Sequence, residues 1–215
     1  MMNKTIVSGV IAAALLSAGF ASSVSAHQAG DIIVRAGVAV VAPNESSPVV
    51  ADIAEFGVDD NTQLGLNFGY MLTDNIGIEL LAATPFSHDI SLGELGKIAE
   101  TKHLPPTLVA QYYFGSADSK VRPYIGAGVN FTNFFDNEFT NDLDGALTDL
   151  SLGNSWGLAA QVGLDYQINK NWLVNASVWY AQITTDVEFK LAGDAVKVET
   201  DIDPWVYMVS VGYTF

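Results

Sequence analysis

Four charged residues, Arg35, Glu79, Arg122 and Asp165, interrupt runs that are otherwise apolar, glycine-rich and almost free of charge. An ion held away from water is costly unless it is paired and hydrogen-bonded. Two cations and two anions at similar depth can neutralise one another. They could form a polar plug or line an ion path, and the plug is the simpler expectation because a narrow tube must fill its interior. Gln111 and Gln167 fall on the same parity. Ser87, His88 and His103 carry the ingredients of a nucleophile and a base. Ser87 and His88 are adjacent, however, and neighbours on a strand point to opposite faces. His103 could approach Ser87 from a facing segment, but no carboxylate is placed to orient it, and no enzymatic activity is expected. His27, His88 and His103 lack metal-ligand spacing. Asp142, Asp144 and Gly145 match part of a calcium loop that would begin at Thr140 and end at Ser151, so the match fails at both ends. Gly126-Ala127-Gly128 opens no helix and is no nucleotide fingerprint; its small residues are expected to make room for Trp179 and Tyr124. Cysteine is absent from the 215 residues, which excludes disulfides and thiol chemistry. No metal or cofactor is expected.

The elements that position these residues have a period of two. Ile32, Val34, Ala36, Val38 and Val40 alternate with Ile33, Arg35, Gly37 and Ala39. Runs of the same kind span about 63–72, 76–83, 108–114, 121–131, 155–166, 172–180 and 205–215. Each is close to the ~9–11 residues of a tilted membrane strand. Short connections fall at 73–75, 115–120 and 169–171, and long ones cover about 42–61, 87–104, 136–153 and 184–203. Short periplasmic turns and long extracellular loops are the layout of an outer-membrane barrel. The expected fold is therefore all-β: an eight-stranded antiparallel transmembrane β-barrel over residues 27–215.

Composition agrees. Hydrophobic residues make up 49% of the chain and charged residues only 15%, against ~25% charged in an ordinary soluble domain. No apolar run after residue 26 is long enough for a spanning helix. A net charge of -15 argues against nucleic acid. Lys4, the apolar stretch Ile6 to Phe20 and Val24-Ser25-Ala26 form a signal peptide, with cleavage expected before His27. A soluble lipocalin-like barrel would place its apolar face inside. Here the nearly pure aliphatic and aromatic face has to be the outer one, with Tyr70, Tyr112, Phe114, Tyr166, Trp172, Trp205 and Tyr213 near strand ends as interfacial girdles. Such a chain resides in the outer membrane, among its lipids and lipopolysaccharide. The final strand ending in Phe215 looks like the signal read by the outer-membrane assembly machinery. Asp52, Glu55, Asp59, Asp60, Asp136 and Glu138 make the extracellular side acidic, which would let divalent cations bridge it to lipopolysaccharide phosphates.

Eight strands leave an interior that side chains nearly fill, so a wide porin is excluded. Parity places large apolar residues inside the tube: Leu81 two after Glu79, Trp179 two after Ser177, and with them Met71, Val109 and Met208. An apolar lumen suits a pocket for a hydrophobic ligand, although Trp179 could equally serve to plug the barrel.

Several strings resemble the OmpW family of outer-membrane proteins: Asn61-Thr62-Gln63-Leu64-Gly65-Leu66, Thr73-Asp74-Asn75-Ile76-Gly77, and Glu79-Leu80-Leu81-Ala82-Ala83-Thr84-Pro85-Phe86. So do His103-Leu104-Pro105-Pro106-Thr107-Leu108, Gln111-Tyr112-Tyr113-Phe114, Arg122-Pro123-Tyr124 and Asp203-Pro204-Trp205-Val206. The resemblance implies a channel or carrier that passes small hydrophobic molecules and releases them sideways through the wall. It also implies a leucine and a tryptophan that narrow the lumen, which fall on Leu81 and Trp179. Prolines lack an N–H and could weaken strand pairing at a lateral opening; Pro85, Pro105 and Pro106 are the candidates. The other functions in view are a structural or surface-receptor barrel, with loops serving phage or bacteriocin docking, and an outer-membrane enzyme.

Overall fold

The computed structural model describes residues 27–50 and 53–215. The leader expected over residues 1–26 lies outside the described residues. Strands β1 (Ile32–Ala42), β3 (Asn61–Met71), β4 (Ile76–Ala83), β7 (Thr107–Tyr113), β8 (Val121–Phe139), β10 (Ser155–Gln167), β11 (Trp172–Ala181) and β14 (Trp205–Thr214) follow one another around an antiparallel sheet. The pairing of β10 with β8 and of β1 with β14 closes that sheet into an eight-stranded barrel. Closure matters physically, because an open edge would leave unpaired N–H and C=O groups facing lipid. The three short turns fall where the alternation breaks. In the first of them the Thr73 hydroxyl accepts from the amides of Asn75 and Ile76 at 3.2 and 2.9 Å, replacing ladder bonds the turn cannot make.

The outer face of the barrel is apolar and exposed: Val38, Leu64, Leu108, Ile125, Val162 and Val209 all point outward. Aromatic pairs sit near both ends of this band, Trp172 with Tyr213 on one side and Tyr180 with Trp205 on the other. Ring amphipathicity favours those depths.

The long connections are not the loops that the sequence pattern suggests. They contain β2 (Phe56–Val58), β5 (Phe86–Leu92), β6 (Lys97–Leu104), β9 (Leu147–Leu152), β12 (Thr184–Leu191) and β13 (Asp194–Asp201). β5 and β6 form a hairpin that pairs with the upper half of the 19-residue β8. β12 and β13 form a second hairpin carrying β9. Above the membrane band the arrangement of faces is reversed. Phe86, Ile90 and Leu92 of β5 are buried inside, while Lys97, Glu100 and Lys102 of β6 lie on the outer side among exposed carboxylates. These strands meet water rather than lipid, so their outer face is charged. A search for an apolar outer face therefore passes over them.

The reversal has a local cause on β4 and β5. Leu81 and Phe86 both point inward although five residues apart, an odd step, so the frame shifts by one at Thr84-Pro85. A one-residue slip exchanges the two faces of a strand. Inside the barrel, Tyr124 lies directly across from Gly163, and a Cβ at Gly163 would come 2.2 Å from the Tyr124 Cζ. An aromatic ring covering a cross-strand glycine is a recurring device in curved sheets. The small residues Gly126 and Gly128 serve other neighbours than the expected Trp179 and Tyr124. A Cβ at Gly126 would meet Gln161 Oε1 at 2.9 Å, and one at Gly128 would meet the Leu108 carbonyl at 1.9 Å.

Gly163→Val should cost about 1–3 kcal/mol through overpacking against Tyr124. Urea unfolding of the barrel refolded into lipid vesicles measures it, and a midpoint equal to wild type would contradict the close approach.

Candidate functional site

The inward faces of β1, β4 and β10 bring Arg35, Glu79 and Asp165 together at one depth. Arg35 is fully buried and its guanidinium bonds both carboxylates, Glu79 through Nη1 and Asp165 through Nη2. Arg35 also donates to the Tyr113 hydroxyl at 3.0 Å. Each carboxylate also accepts from further donors. Gln111 and Gln161 each donate to Glu79 Oε1 at 2.9 Å, and Asn175 donates to Asp165 Oδ1 at 2.7 Å. His27 Nε2 donates to Asp165 Oδ2 at 2.6 Å. Additional hydrogen bonds offset part of the desolvation cost of a buried ion pair, and this one is enclosed by amides, phenols and an imidazole.

Arg122, the fourth member of the expected plug, reaches lower. It donates to the carbonyls of His27 at 3.1 Å and Asp74 at 2.7 Å, with its guanidinium over the Tyr113 ring at 5.3 Å. Gln167 does not join the carboxylates: its amide donates to the Asn169 carbonyl at 2.8 Å, in the turn. His27, Tyr113, Tyr124, Gln161 and Asn175 belong to the layer and were not picked out from the sequence. Inward parity with Gln111, Arg122, Asp165 and Trp179 on their own strands was the available signal for Tyr113, Tyr124, Gln161 and Asn175 respectively. His27 precedes β1 and carries no parity.

Leu81, Trp179, Met71, Val109 and Met208 are all buried inside the barrel. Four of them sit above the charged layer in one apolar cluster. Met71 does not: it packs with Ile33, Tyr113, Tyr124 and Leu173 at the periplasmic end, because it is the last residue of β3. Leu81 and Trp179 line one chamber with Ala39, Val41, Phe86, Val206 and others. A second chamber above it shares His103 and is walled by Phe56, His88, Ile90, Val187 and Thr200. A third, nearest the outside, shares Phe56, Ile90 and Val187 with the second and has only apolar residues on its walls. Three apolar chambers thus follow one another from the extracellular hairpins to Trp179.

The wall beside the lowest chamber is interrupted. β4 and β7 pair as far as Leu81 opposite Thr107, and β5 and β6 begin pairing at Phe86 opposite His103. Between these points lie Ala82 to Pro85 on one side and Leu104 to Pro106 on the other. Each side stays tied to its outer neighbour, Ala83 to Gly65 of β3 and Leu104 to Asn133 of β8. Across the gap there is no ladder. Pro85, Pro105 and Pro106 all lie in it, and Pro105 lines the chamber.

Ser87 and His103 do not approach each other. His103 opposes Phe86 and points inward, whereas the Ser87 hydroxyl lies on the other face and donates to Glu100 at 2.8 Å. His88 and His103 instead stack face to face inside, with ring centroids 5.0 Å apart. Burial first, then the neighbouring His88, pushes His103 down to about 3. Burial also lowers His88, against the opposing pull of Asp59. Both rings are neutral at ordinary pH.

A family profile described as the OmpW family matches residues 28–215. The chain is 54% identical over 221 residues to outer membrane protein W of Vibrio cholerae serotype O1, covering 100% of both. It is 52% identical over 216 residues to outer membrane protein W of Escherichia coli K12, again covering 100% of both. The crystal structure of the outer membrane protein OprG from Pseudomonas aeruginosa superimposes with a TM-score of 0.83 at 43% identity, covering 89% of this chain and 99% of that one.

Arg35→Met should destabilise the barrel by about 3–5 kcal/mol, because it leaves two buried carboxylates uncompensated. Adding Glu79→Gln and Asp165→Asn should recover much of that loss. Urea unfolding in lipid vesicles reads both; a triple variant no more stable than Arg35→Met would refute the shared pairing.

Proposed function

The chain belongs to the OmpW family of outer-membrane barrels, and from that premise we propose that it is a narrow conduit for small hydrophobic molecules, which it releases sideways into the membrane. The observation that carries this reading is a coincidence of place: the apolar chamber at Leu81 and Trp179 lies where the hydrogen-bond ladder between β4 and β7 is broken. An apolar solute moving inward meets Trp179, whose indole N–H is held by the Ser177 hydroxyl at 3.2 Å. Below Trp179 stands the layer of Arg35, Glu79 and Asp165. Passing it would require parting desolvated ions, a cost that a hydrocarbon offers no interaction to offset. The wall between Ala82–Pro85 and Leu104–Pro106 opens instead toward lipid, where the solute is at home. Only side-chain displacement and an unladdered segment stand in that direction, and both are soft compared with the ion pairs.

The acidic outer rim supports a further role in contact with lipopolysaccharide phosphates through divalent cations, and the strand ending at Phe215 supports handling by the assembly machinery. A purely structural or receptor barrel remains the competing reading, favoured by how completely side chains fill the lower lumen.

Naphthalene uptake into liposomes should depend on the protein and fall by about tenfold or more in Trp179→Asp, since a charge in the chamber must be desolvated at every passage. Undiminished uptake in a folded Trp179→Asp barrel would sink the conduit reading. The double variant Pro105→Ala, Pro106→Ala restores two backbone N–H donors to the broken ladder and should lower uptake several-fold. Uptake that stays at the wild-type rate would place the exit elsewhere.

A further inference from the structure

The barrel has a second seam of the same design as the interrupted wall between β4–β5 and β6–β7. β11 and β14 pair as far as Tyr180 opposite Trp205, and β12 and β13 begin pairing at Thr184 opposite Asp201. Between these points lie Ala181 to Ile183 on one side and Ile202 to Pro204 on the other. Each side is again tied to its outer neighbour. The Gln182 amide donates to the Leu158 carbonyl at 2.8 Å, and the Asn44 amide to the Ile202 carbonyl at 2.9 Å. The lower chamber reaches both seams: Ala82, Ala83 and Pro105 line it at the first, and Ala181, Ile183 and Pro204 at the second. An apolar solute beside Trp179 therefore faces two breaks in the strand pairing.

The two seams differ in what crosses them. Among the described residues no hydrogen bond joins Ala82–Pro85 to Leu104–Pro106. At the second seam the Ala181 amide donates to the Pro204 carbonyl at 3.3 Å, and the Ile202 amide to the Ile183 carbonyl at 2.8 Å. Asp203 adds two more bonds. Its Oδ1 accepts from the Ile183 amide at 3.0 Å, and its Oδ2 accepts from the Tyr180 hydroxyl at 2.9 Å. One carboxylate thus grips the opposite side at two points, on either side of Ala181-Gln182. Bonds to an ionised acceptor are stronger than those between neutral groups. The Asp203 backbone is also left-handed, with φ at 36°, although the next residue is a proline, which favours an extended neighbour. Such a conformation costs energy and persists only where the surroundings hold it, and here the two side-chain bonds do so. We propose that Asp203 is a positioning residue, a latch that keeps the second seam closed so that solute leaves only between Ala82–Pro85 and Leu104–Pro106. This role rests on the conduit reading, in which the first seam is the exit.

Naphthalene uptake into liposomes is compared for the wild type, Asp203→Ala, the Pro105→Ala, Pro106→Ala pair, and all three substitutions together. Asp203→Ala releases a second exit, so the triple variant should return to within about twofold of wild type, while the proline pair alone stays several-fold slower. A residue that only stabilised the fold would lower uptake in both backgrounds. Tyr180→Phe cuts one of the two bonds and leaves the left-handed residue in place, so it should rescue the proline pair in part. Rescue by neither substitution overturns the latch. Amide exchange in lipid nanodiscs tests the seam without any solute. Exchange at Ala181, Ile183 and Ile202 should quicken by about tenfold or more in Asp203→Ala, the loss expected for a bond to a charged group, while the amides of β4 and β7 keep their rates. Unchanged exchange at the seam also overturns the latch. If the protein does not speed naphthalene uptake, or the proline pair does not slow it, yet exchange at the seam quickens, the exit reading fails and Asp203 still holds the seam.

Discussion

The lower half of the barrel is organised around one shared guanidinium. Arg35 stands between Glu79 and Asp165, and all three are buried. Each partner is useful only because the others are present: remove the cation, and two carboxylates are buried alone. Gln111, Gln161, Asn175 and His27 are drawn in because the carboxylate oxygens still need donors. Tyr113 and Tyr124 cover the result, and the absence of a side chain at Gly163 lets Tyr124 lie flat across the strand. The layer is thereby closed from rim to rim, and everything above it becomes a cavity with a floor.

That floor gives the apolar chambers their meaning. Above it the walls are Leu81, Val109, Trp179 and Met208, and higher still Phe56, Ile90, Val187 and Phe189. The upper walls come from strands that stand in water and carry charge on the outside. The protein is thus a closed eight-stranded barrel below and, above it, two smaller sheets of extra strands, one of them continuing from β8. The barrel has its apolar face toward lipid and a polar layer inside; the upper sheets turn their apolar faces inward and their charged faces outward. The join between them, at Thr84-Pro85 and Pro105-Pro106, is where the ladder between β4–β5 and β6–β7 lapses. A frame shift and a pair of prolines at a change of solvent weaken the wall beside the apolar chamber. The stacked imidazoles of His88 and His103 stand just above the same join, neutral because they are buried.

Much of this was legible in the sequence. Alternation at period two, with a nearly unbroken aliphatic face, determined the eight strands, their number, their turns and which face meets lipid, because a bilayer demands an apolar exterior along the whole strand. The same parity placed Arg35, Glu79 and Asp165 inside, and Leu81, Val109, Trp179 and Met208 with them. Depth was less legible. Parity tells in from out but not high from low, and Met71 fell on the far side of the charged layer for that reason.

Only the tertiary structure decided the rest. Whether Arg122 or His27 would reach Asp165 depends on how the strands stagger around the barrel, which is a relation between distant segments. The upper strands were hidden because water on their outer face permits Lys, Glu and Asp, so the apolar pattern that marks a membrane strand is missing there. The frame shift at Thr84-Pro85 exchanges the faces of β5, and no count of residues reveals it until the pairing of Phe86 with His103 is known. The two side-chain bonds of Asp203 are the clearest case. They reach Tyr180 and Ile183, 23 and 20 residues away in the chain, and only folding brings those groups within 3.0 Å.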